Sequence, residues 1–382
     1  MIDNMAPRAL IIGGSLGGLL TAITLRKIGW RVDVFERSPR ALDSRGGGLV
    51  LQPDVLHAFD FAGLTLDGML GVASKDRIFL DRDGKVIQRS HQPQTQTSWN
   101  MLYGAMRQAI PDDCIHSGET LLRFEQAGGQ VRASFASGRS EIGDLLVGAD
   151  GARSAVRAQL LPDLHPAYSG YVAWRGLVPE MALDAHSRAT LDGTFAFQHS
   201  HGHMLLEYLV PGEDGAVTPG NRRWNWVWFR KVEPGALQAL LTDRDGVAHA
   251  FSLPPGALPE TQALALRAAA DQMLAPPFKA LVNATETPFL QAILDLETPR
   301  MVFGRVVLLG DAAFVPRPHT AGGAAKAAAN ALALAQSLRL SAGSLDQRLR
   351  AWELPQLRAG RSMTEWGQRM GNQIMGLDPA LH

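Results

Sequence analysis

Four clusters of residues have the types and spacing to do chemistry. Gly13, Gly14, Gly17 and Gly18 crowd together behind the apolar run at 8–12. Glycines there let the backbone approach a charged ligand. The free N–H groups and positive dipole end of a following helix then hold a pyrophosphate. Glu36 closes a second apolar run, Val32, Val34 and Phe35, and a carboxylate at that strand tip accepts hydrogen bonds from ribose hydroxyls. Asp150-Gly151 ends the run 145–147 and leads into the basic stretch 153–157. Gly310-Asp311 ends the run 306–309, and Gly322-Gly323 opens a helix beyond it, a second place for an anion. Together they point to the holding of a dinucleotide.

Those residues need a βαβ unit to position them. Residues 8–12 have the pattern of a buried parallel strand. Leu19, Leu20, Ile23 and Ile28 recur at helical spacing, and Gly29 stops the helix. The second strand then runs to Glu36. One slot departs from the G-x-G-x-x-G pattern. Gly13 and Gly18 hold the first and third places, and Ser15 sits in the middle, where its hydroxyl can donate to phosphate. The loop alone does not choose between NAD and FAD.

A chain of 382 residues is long enough for two domains and a sizeable core. Lys plus Arg and Asp plus Glu both number 37, so charge gives no reason to expect nucleic acid or an acidic partner. Cys114 is the only cysteine, which excludes an internal disulfide and a cysteine-based metal site. No apolar run is long enough to span a membrane, and the start lacks the basic end and apolar core of a signal peptide. A soluble cytoplasmic protein is the expectation.

The pattern along the chain predicts an interleaved organisation. Residues 1–75 form the first part of a dinucleotide-binding α/β domain, with Arg45-Gly46-Gly47-Gly48 permitting close approach to a flat ligand. Residues 76–98 form a hairpin on Asp83-Gly84 that joins a second domain. Residues 99–165 return to the first domain, with a helix at 99–110 and an antiparallel meander at 119–147. Residues 166–284, rich in aromatics and alternation, make a β-sheet substrate domain. Residues 285–340 complete the first domain, and 341–382 are C-terminal helices.

Candidates for the chemical step lie in the aromatic sheet. If 197–209 is one strand, His199, His201 and His203 share a face; a metal is not expected there, since no carboxylate but Glu207 adjoins them. His203 and Tyr208 are candidates to hold a substrate hydroxyl. Arg175 fixes substrate or cofactor, or else forms a structural ion pair. Trp224, Trp226 and Trp228 share a face, as sheet core before ring platform.

The ordered triple of glycine loop, Asp150-Gly151 and Gly310-Asp311 resembles the single-component FAD-dependent aromatic hydroxylases over nearly the whole chain. The segment 316–327, Pro-Arg-Pro-His-Thr-Ala-Gly-Gly-Ala-Ala-Lys-Ala, looks most like the 2,6-dihydroxypyridine 3-hydroxylase branch. So do 170–176, Gly-Tyr-Val-Ala-Trp-Arg-Gly, and Asn225-Trp226-Val227-Trp228. Two positions depart from the wider family: Phe314 stands where a histidine usually follows Gly-Asp-Ala-Ala, and Trp99 replaces an arginine, with Arg107 as its candidate substitute.

The resemblance implies a para-hydroxybenzoate-hydroxylase-like fold, a Rossmann-like FAD domain with an interleaved β-sheet substrate domain. It implies non-covalent FAD, NADH or NADPH as co-substrate, and hydroxylation of an electron-rich ring such as a dihydroxypyridine by a flavin C4a-hydroperoxide formed with O2. The cofactor contacts it leads one to expect are Gly13, Ser15, Leu16, Gly17, Glu36, Arg37, Arg45, Leu51, Arg107, Asp150, Asp311, Ala321, Gly322, Gly323 and Ala324. The expected partners are a small aromatic and O2, without nucleic acid or membrane, with room for a homodimer. Two other classes stay open: a flavin-dependent halogenase, through the pair Trp226 and Trp228, and a non-catalytic flavin-binding sensor.

Overall fold

The computed structural model describes residues 6–40, 42, 47–64, 70–340 and 343–377. The apolar run after Arg8 is β1 (Arg8–Ile12), which lies between two parallel neighbours and is buried from Ala9 onward. After the glycine loop come α1 (Leu16–Lys27) and β2 (Arg31–Glu36), as the periodicity predicts. A short β3 (Gly48–Val50) follows. Then comes α2 (Pro53–Ala62), begun by a proline whose missing N–H costs nothing there and ended by left-handed Gly63. The hairpin is longer than its pattern suggests: β4 (Val72–Leu80) and β5 (Val86–Ser98) turn at Asp83-Gly84.

Ser98 then caps α3 (Trp99–Gln108), accepting the Met101 N–H at 3.2 Å. β6 (Ile115–Ser117) pairs with β2. β7 (Leu121–Ala127), β8 (Gln130–Phe135) and β9 (Ser140–Gly143) form the expected meander as a separate small sheet. β10 (Leu145–Gly148) returns to lie parallel to β1, and α4 (Ala155–Leu160) follows it.

The substrate sheet is built from β11 (Ala167–Pro179), then α5 (Ala185–Leu191), β12 (Thr194–Ser200), β13 (His203–Val210) and β14 (Arg223–Lys231). Next come α6 (Pro234–Leu240), β15 (Ser252–Leu253), α7 (Glu260–Met273), α8 (Pro276–Ala284) and β16 (Phe289–Glu297). The chain closes with β17 (Val302–Phe303), β18 (Val306–Leu308), β19 (Phe314–Val315), α9 (Gly323–Arg339) and α10 (Leu345–Met375).

Two large sheets organise these elements. The six-stranded sheet runs β17-β18-β10-β1-β2-β6, parallel except at its β17 edge. The ten-stranded sheet runs β15-β16-β11-β14-β13-β12-β4-β5-β3, with β19 on β16. The sheet therefore takes in β3, β4 from Val72, and β16, so it extends beyond the expected limits of 76–98 and 166–284. β16 belongs to it because it pairs with β11 along Phe289 to Asp295.

Side chains alternate between the faces of this sheet. One face presents Trp174, Trp224, Trp226, Trp228, Leu205 and Leu209 to α5, α7 and α8, forming a buried core. The tryptophans are thus sheet core. The other face carries Phe195, Phe197, Met204, Tyr208, Val227 and Phe229. The stretch 197–209 is not one strand. It turns at His201-Gly202, with Gly202 at φ +76°, so the three histidines do not share a face.

Glu207 falls on the helix-packed face. It is fully buried, neither carboxylate oxygen meets a hydrogen-bond partner, and burial pushes its carboxyl well above the usual range. A carboxyl raised in the folded state contributes stability below its unfolded value near 4.5 and loses it as pH rises. Glu207→Met should therefore raise the thermal unfolding midpoint, and by more at pH 8 than at pH 5. Thermal melts of both proteins at the two pH values check this; an equal or opposite change at pH 8 contradicts it.

Candidate active site

The glycine loop works by backbone contact. Gly13 has φ +107°, and a Cβ on it would lie 2.5 Å from the Ala149 carbonyl oxygen. A Cβ on Gly18 would lie 1.8 Å from the Gly13 carbonyl oxygen. Only glycine fits either place. The Gly14 N–H then donates to Glu36 Oε2 at 2.8 Å, and the Ser38 N–H donates to Glu36 Oε1 at 2.8 Å. Ser15 is the N-cap of α1, and its side chain makes no capping hydrogen bond.

These residues line a first cavity of about 560 Å³. Gly13, Ser15, Leu16, Gly17, Glu36, Arg37 and Asp150 all lie on its wall, with Arg153 close enough to Arg37 for its pKa to be lowered, first by burial and then by that charge. Asp150 has a second task. Its carboxylate accepts the Ala155 N–H at 2.7 Å and the Val156 N–H at 3.2 Å, so it caps α4, and burial raises its carboxyl. At the far end lie Asp311, Gly323 and Ala324. Asp311 Oδ1 accepts from Lys326 Nζ at 2.8 Å; Lys326 is buried, while the Asp311 side chain stays half exposed.

A second cavity of about 720 Å³ opens over the substrate sheet, and Gly48, Leu49, Arg175, Asp311, Gly323 and Ala324 line both. Arg175 stands at this junction with its Nε buried and without a partner, and burial lowers its pKa. The sheet supplies the floor in ordered rows. Arg77, Phe195, Tyr208 and Asn225 stand in register across β4, β12, β13 and β14. The next row is Phe79, Phe197, Leu206, Val227 and Arg175. The segment from Pro316 to Gly322 forms the opposite wall, with Trp366, Met370 and Ile374 of α10. The cavity therefore lies between the aromatic sheet and loop 316–320. Ala321 and Gly322 line it, Ala321 in the left-handed region at φ +52°.

Tyr208 faces this cavity, and burial pushes its hydroxyl up to about 12. His203 does not face it. Tyr208 lies five positions further on, an odd offset, so a continuous strand places the two on opposite faces. Its Nδ1 accepts the Trp228 Nε1–H at 3.3 Å within the helix-packed side, and burial, then Arg230 and His199, pull its pKa down to about 4. Two of the expected cofactor contacts lie off both cavity walls. Leu51 lines neither cavity; Leu49 and Val50 do. Arg107 turns to its own helix end, donating to Asp112 and to the Ile110 carbonyl, while Trp99 lines the first cavity. Arg45 lies outside the described residues.

Three contributors escaped the sequence reading. Asn225 Oδ1 accepts the Gly48 N–H at 2.7 Å, which fixes the loop at the junction. Its signal in the sequence was the Asn225-Trp226-Val227-Trp228 segment, which assigns it no task. His319 lines the second cavity, shares a 2.9 Å hydrogen bond between Nε2 and the Tyr171 hydroxyl, and is held neutral, at about 3, by burial and then Arg317. Arg317 itself is buried and tied to Asp295 at 2.7 Å and Asn372 at 2.7 Å, so loop, sheet and α10 are clamped together.

The family description FAD binding domain-like matches residues 168–295. The 2,6-dihydroxypyridine 3-monooxygenase of Paenarthrobacter nicotinovorans is 33% identical over 376 residues, 96% of this chain and 91% of that protein. Salicylate hydroxylase of Pseudomonas putida is 28% identical over 95% of this chain and 86% of its own length. The solved structure of 2,6-dihydroxypyridine-3-hydroxylase from Arthrobacter nicotinovorans superposes with a TM-score of 0.91 at 31% identity, covering 97% of this chain and 93% of that one.

The residues present fit a dinucleotide: a glycine cradle no side chain could occupy, a carboxylate at the tip of β2 and two arginines on the same cavity wall. Glu36→Ala should strip the Gly14 and Ser38 amides of their acceptor and weaken FAD retention by roughly 1–3 kcal/mol. Titration of the stripped protein with FAD, followed by flavin fluorescence, measures it; unchanged affinity would remove Glu36 from the site.

Proposed function

The chain belongs to the single-component FAD-dependent aromatic hydroxylases, and on that premise we propose that the second cavity seats an electron-rich aromatic or heteroaromatic ring, such as a dihydroxypyridine, at its junction with the first. FAD supplies the redox chemistry when bound, taking electrons from NADH or NADPH and activating O2 for transfer of one oxygen atom to the ring. The observation that carries the placement is the continuity of the two cavities at Gly48, Leu49, Arg175, Asp311, Gly323 and Ala324.

The side chains divide the remaining work. Gly13, Ser15, Gly17 and Glu36 hold the adenosine and pyrophosphate end, with Arg37 and Arg153 offsetting its charge. Asp311 would take the ribityl hydroxyls, and its ion pair with Lys326 holds it in place. The α9 start at Gly323 presents free N–H groups to the electron-rich edge of the flavin. Tyr208, protonated through the physiological range, donates its hydroxyl to an ionised ring oxygen. Phe195, Phe197, Phe229 and neutral His319 offer apolar surface that excludes water. Arg175 steadies negative charge where flavin and ring meet.

The halogenase alternative has no support in the relatives, and Trp226 and Trp228 face the helix-packed core instead of the cavity. Among the described residues no helix is long and apolar enough to cross a membrane. A cytoplasmic enzyme working on a small aromatic, as a homodimer, completes the proposal.

Purified holoprotein should oxidise NADH or NADPH faster when given a suitable hydroxypyridine or phenol, with a product one oxygen atom heavier by mass. Tyr208→Phe should lower kcat/KM by about 10- to 100-fold, the worth of one hydrogen bond to a charged oxygen, with FAD still bound. His203→Ala should instead cost stability and leave turnover per folded molecule near the parent's. The reverse pattern in the two variants would move the polar side of the pocket to the other face of β13.

A further inference from the structure

Arg77 is unexplained by the hydroxylation site as described. It lies on β4 and lines the second cavity but not the first. Its guanidinium sits 5.5 Å from the Phe195 ring centroid and 5.2 Å from that of Phe197. Its Nε is buried without a hydrogen-bond partner. The neighbouring carboxylate, Asp76, is committed elsewhere, to Arg89 at 2.6 Å and His91 at 3.2 Å. Among the described residues Arg77 has no ion pair. Among the described residues the one carboxylate on the wall of this cavity is Asp311, which pairs with Lys326. A half-buried cation held beside aromatic rings in a largely apolar chamber, with no anion of its own, offers a place for an incoming anion.

Its position adds a length. Arg77 leans over β12, whereas Arg175 rises from β11 at the flavin junction, and β13 and β14 lie between. Three strand spacings amount to about 14 Å, more than a single six-membered ring covers. A cavity of about 720 Å³ likewise falls in the range of multi-ring or long-tailed ligands.

We infer that the substrate is an aryl acid: an electron-rich ring seated near Arg175 and Tyr208, bearing at its far end a carboxylate that pairs with Arg77. The planar guanidinium suits bidentate pairing with such a group. Phe195 and Phe197 flank the guanidinium and hold it in place. The inference rests on the proposed hydroxylase reading and narrows its substrate class.

The test uses holoenzyme and a panel of phenols and hydroxypyridines. Each bears a carboxylate, attached directly or through a short methylene chain, and is paired with its neutral amide. Dissociation constants come from flavin fluorescence, and stimulated NADH or NADPH oxidation is measured alongside. The best acid should bind about 10- to 100-fold more tightly than its amide, the worth of a hydrogen-bonded charge. Arg77→Met should abolish that preference while the amide binds as before, and Arg77→Lys should keep part of it. A preference that survives in Arg77→Met, or wild-type enzyme that binds amides as well as acids, overturns the inference. If neutral rings are hydroxylated as readily as acids, the hydroxylase reading stands and only the role of Arg77 falls. If no ring of either kind binds or stimulates oxidation, both fall.

Discussion

The contact between Gly18 and the Gly13 carbonyl is the constraint on which the rest of the site hangs. The helix start is pressed onto the end of β1 so closely that one added carbon would overlap the backbone. That approach aims the Gly14 amide at Glu36 and brings the Gly13 turn against Ala149 and Asp150. The ends of β1, β2 and β10 therefore converge on one crevice at the carboxyl edge of a parallel sheet, where ligands of such sheets bind. Asp150 then secures the next helix by its carboxylate, so the crevice wall is held by capping as well as by packing.

The second half of the site follows from alternation along a single sheet. One face is filled by tryptophans and covered by helices, which makes it a rigid slab. The opposite face is left free to be a floor, and its polar residues stand out against phenylalanines. Arg317 joins this floor to its roof through Asp295 and to α10 through Asn372. A fully buried arginine costs solvation, and here the cost is met by three hydrogen-bonded oxygens, two from Asp295 of β16 and one from Asn372 of α10. The loop is thereby held at a fixed height above the sheet.

The dinucleotide half was legible because its signals are local. Four glycines, an acidic strand tip and two Asp-Gly or Gly-Asp strand ends are each read within a few residues. The floor of the second cavity was legible only in part. Tyr208 was identifiable, but His203 was misplaced, since the turn at Gly202 and the parity of β13 decide its face. Arg107 failed because a helix-end ion pair with Asp112 competes for it, a partner five residues on. Arg77, Asn225 and His319 depend on cross-strand register and on a loop crossing the sheet. Such placements arise from contacts far apart in sequence, which local pattern does not carry.

The interleaving of the two sheets also bears on how the chain reaches this state. In the parallel sheet Leu146 stands beside Val306, and Ile11 beside Val147, so neighbouring strands meet only after long intervening segments have been ordered. The substrate sheet, whose strands β11 to β14 are joined more locally, is in the better position to form first. The crevice is then among the last parts to close, because β18 must find β10 across the whole inserted sheet. Whatever occupies that crevice binds the closed state and draws the equilibrium toward it. A bound cofactor should thus protect the crevice strands from opening, in addition to making the chain active.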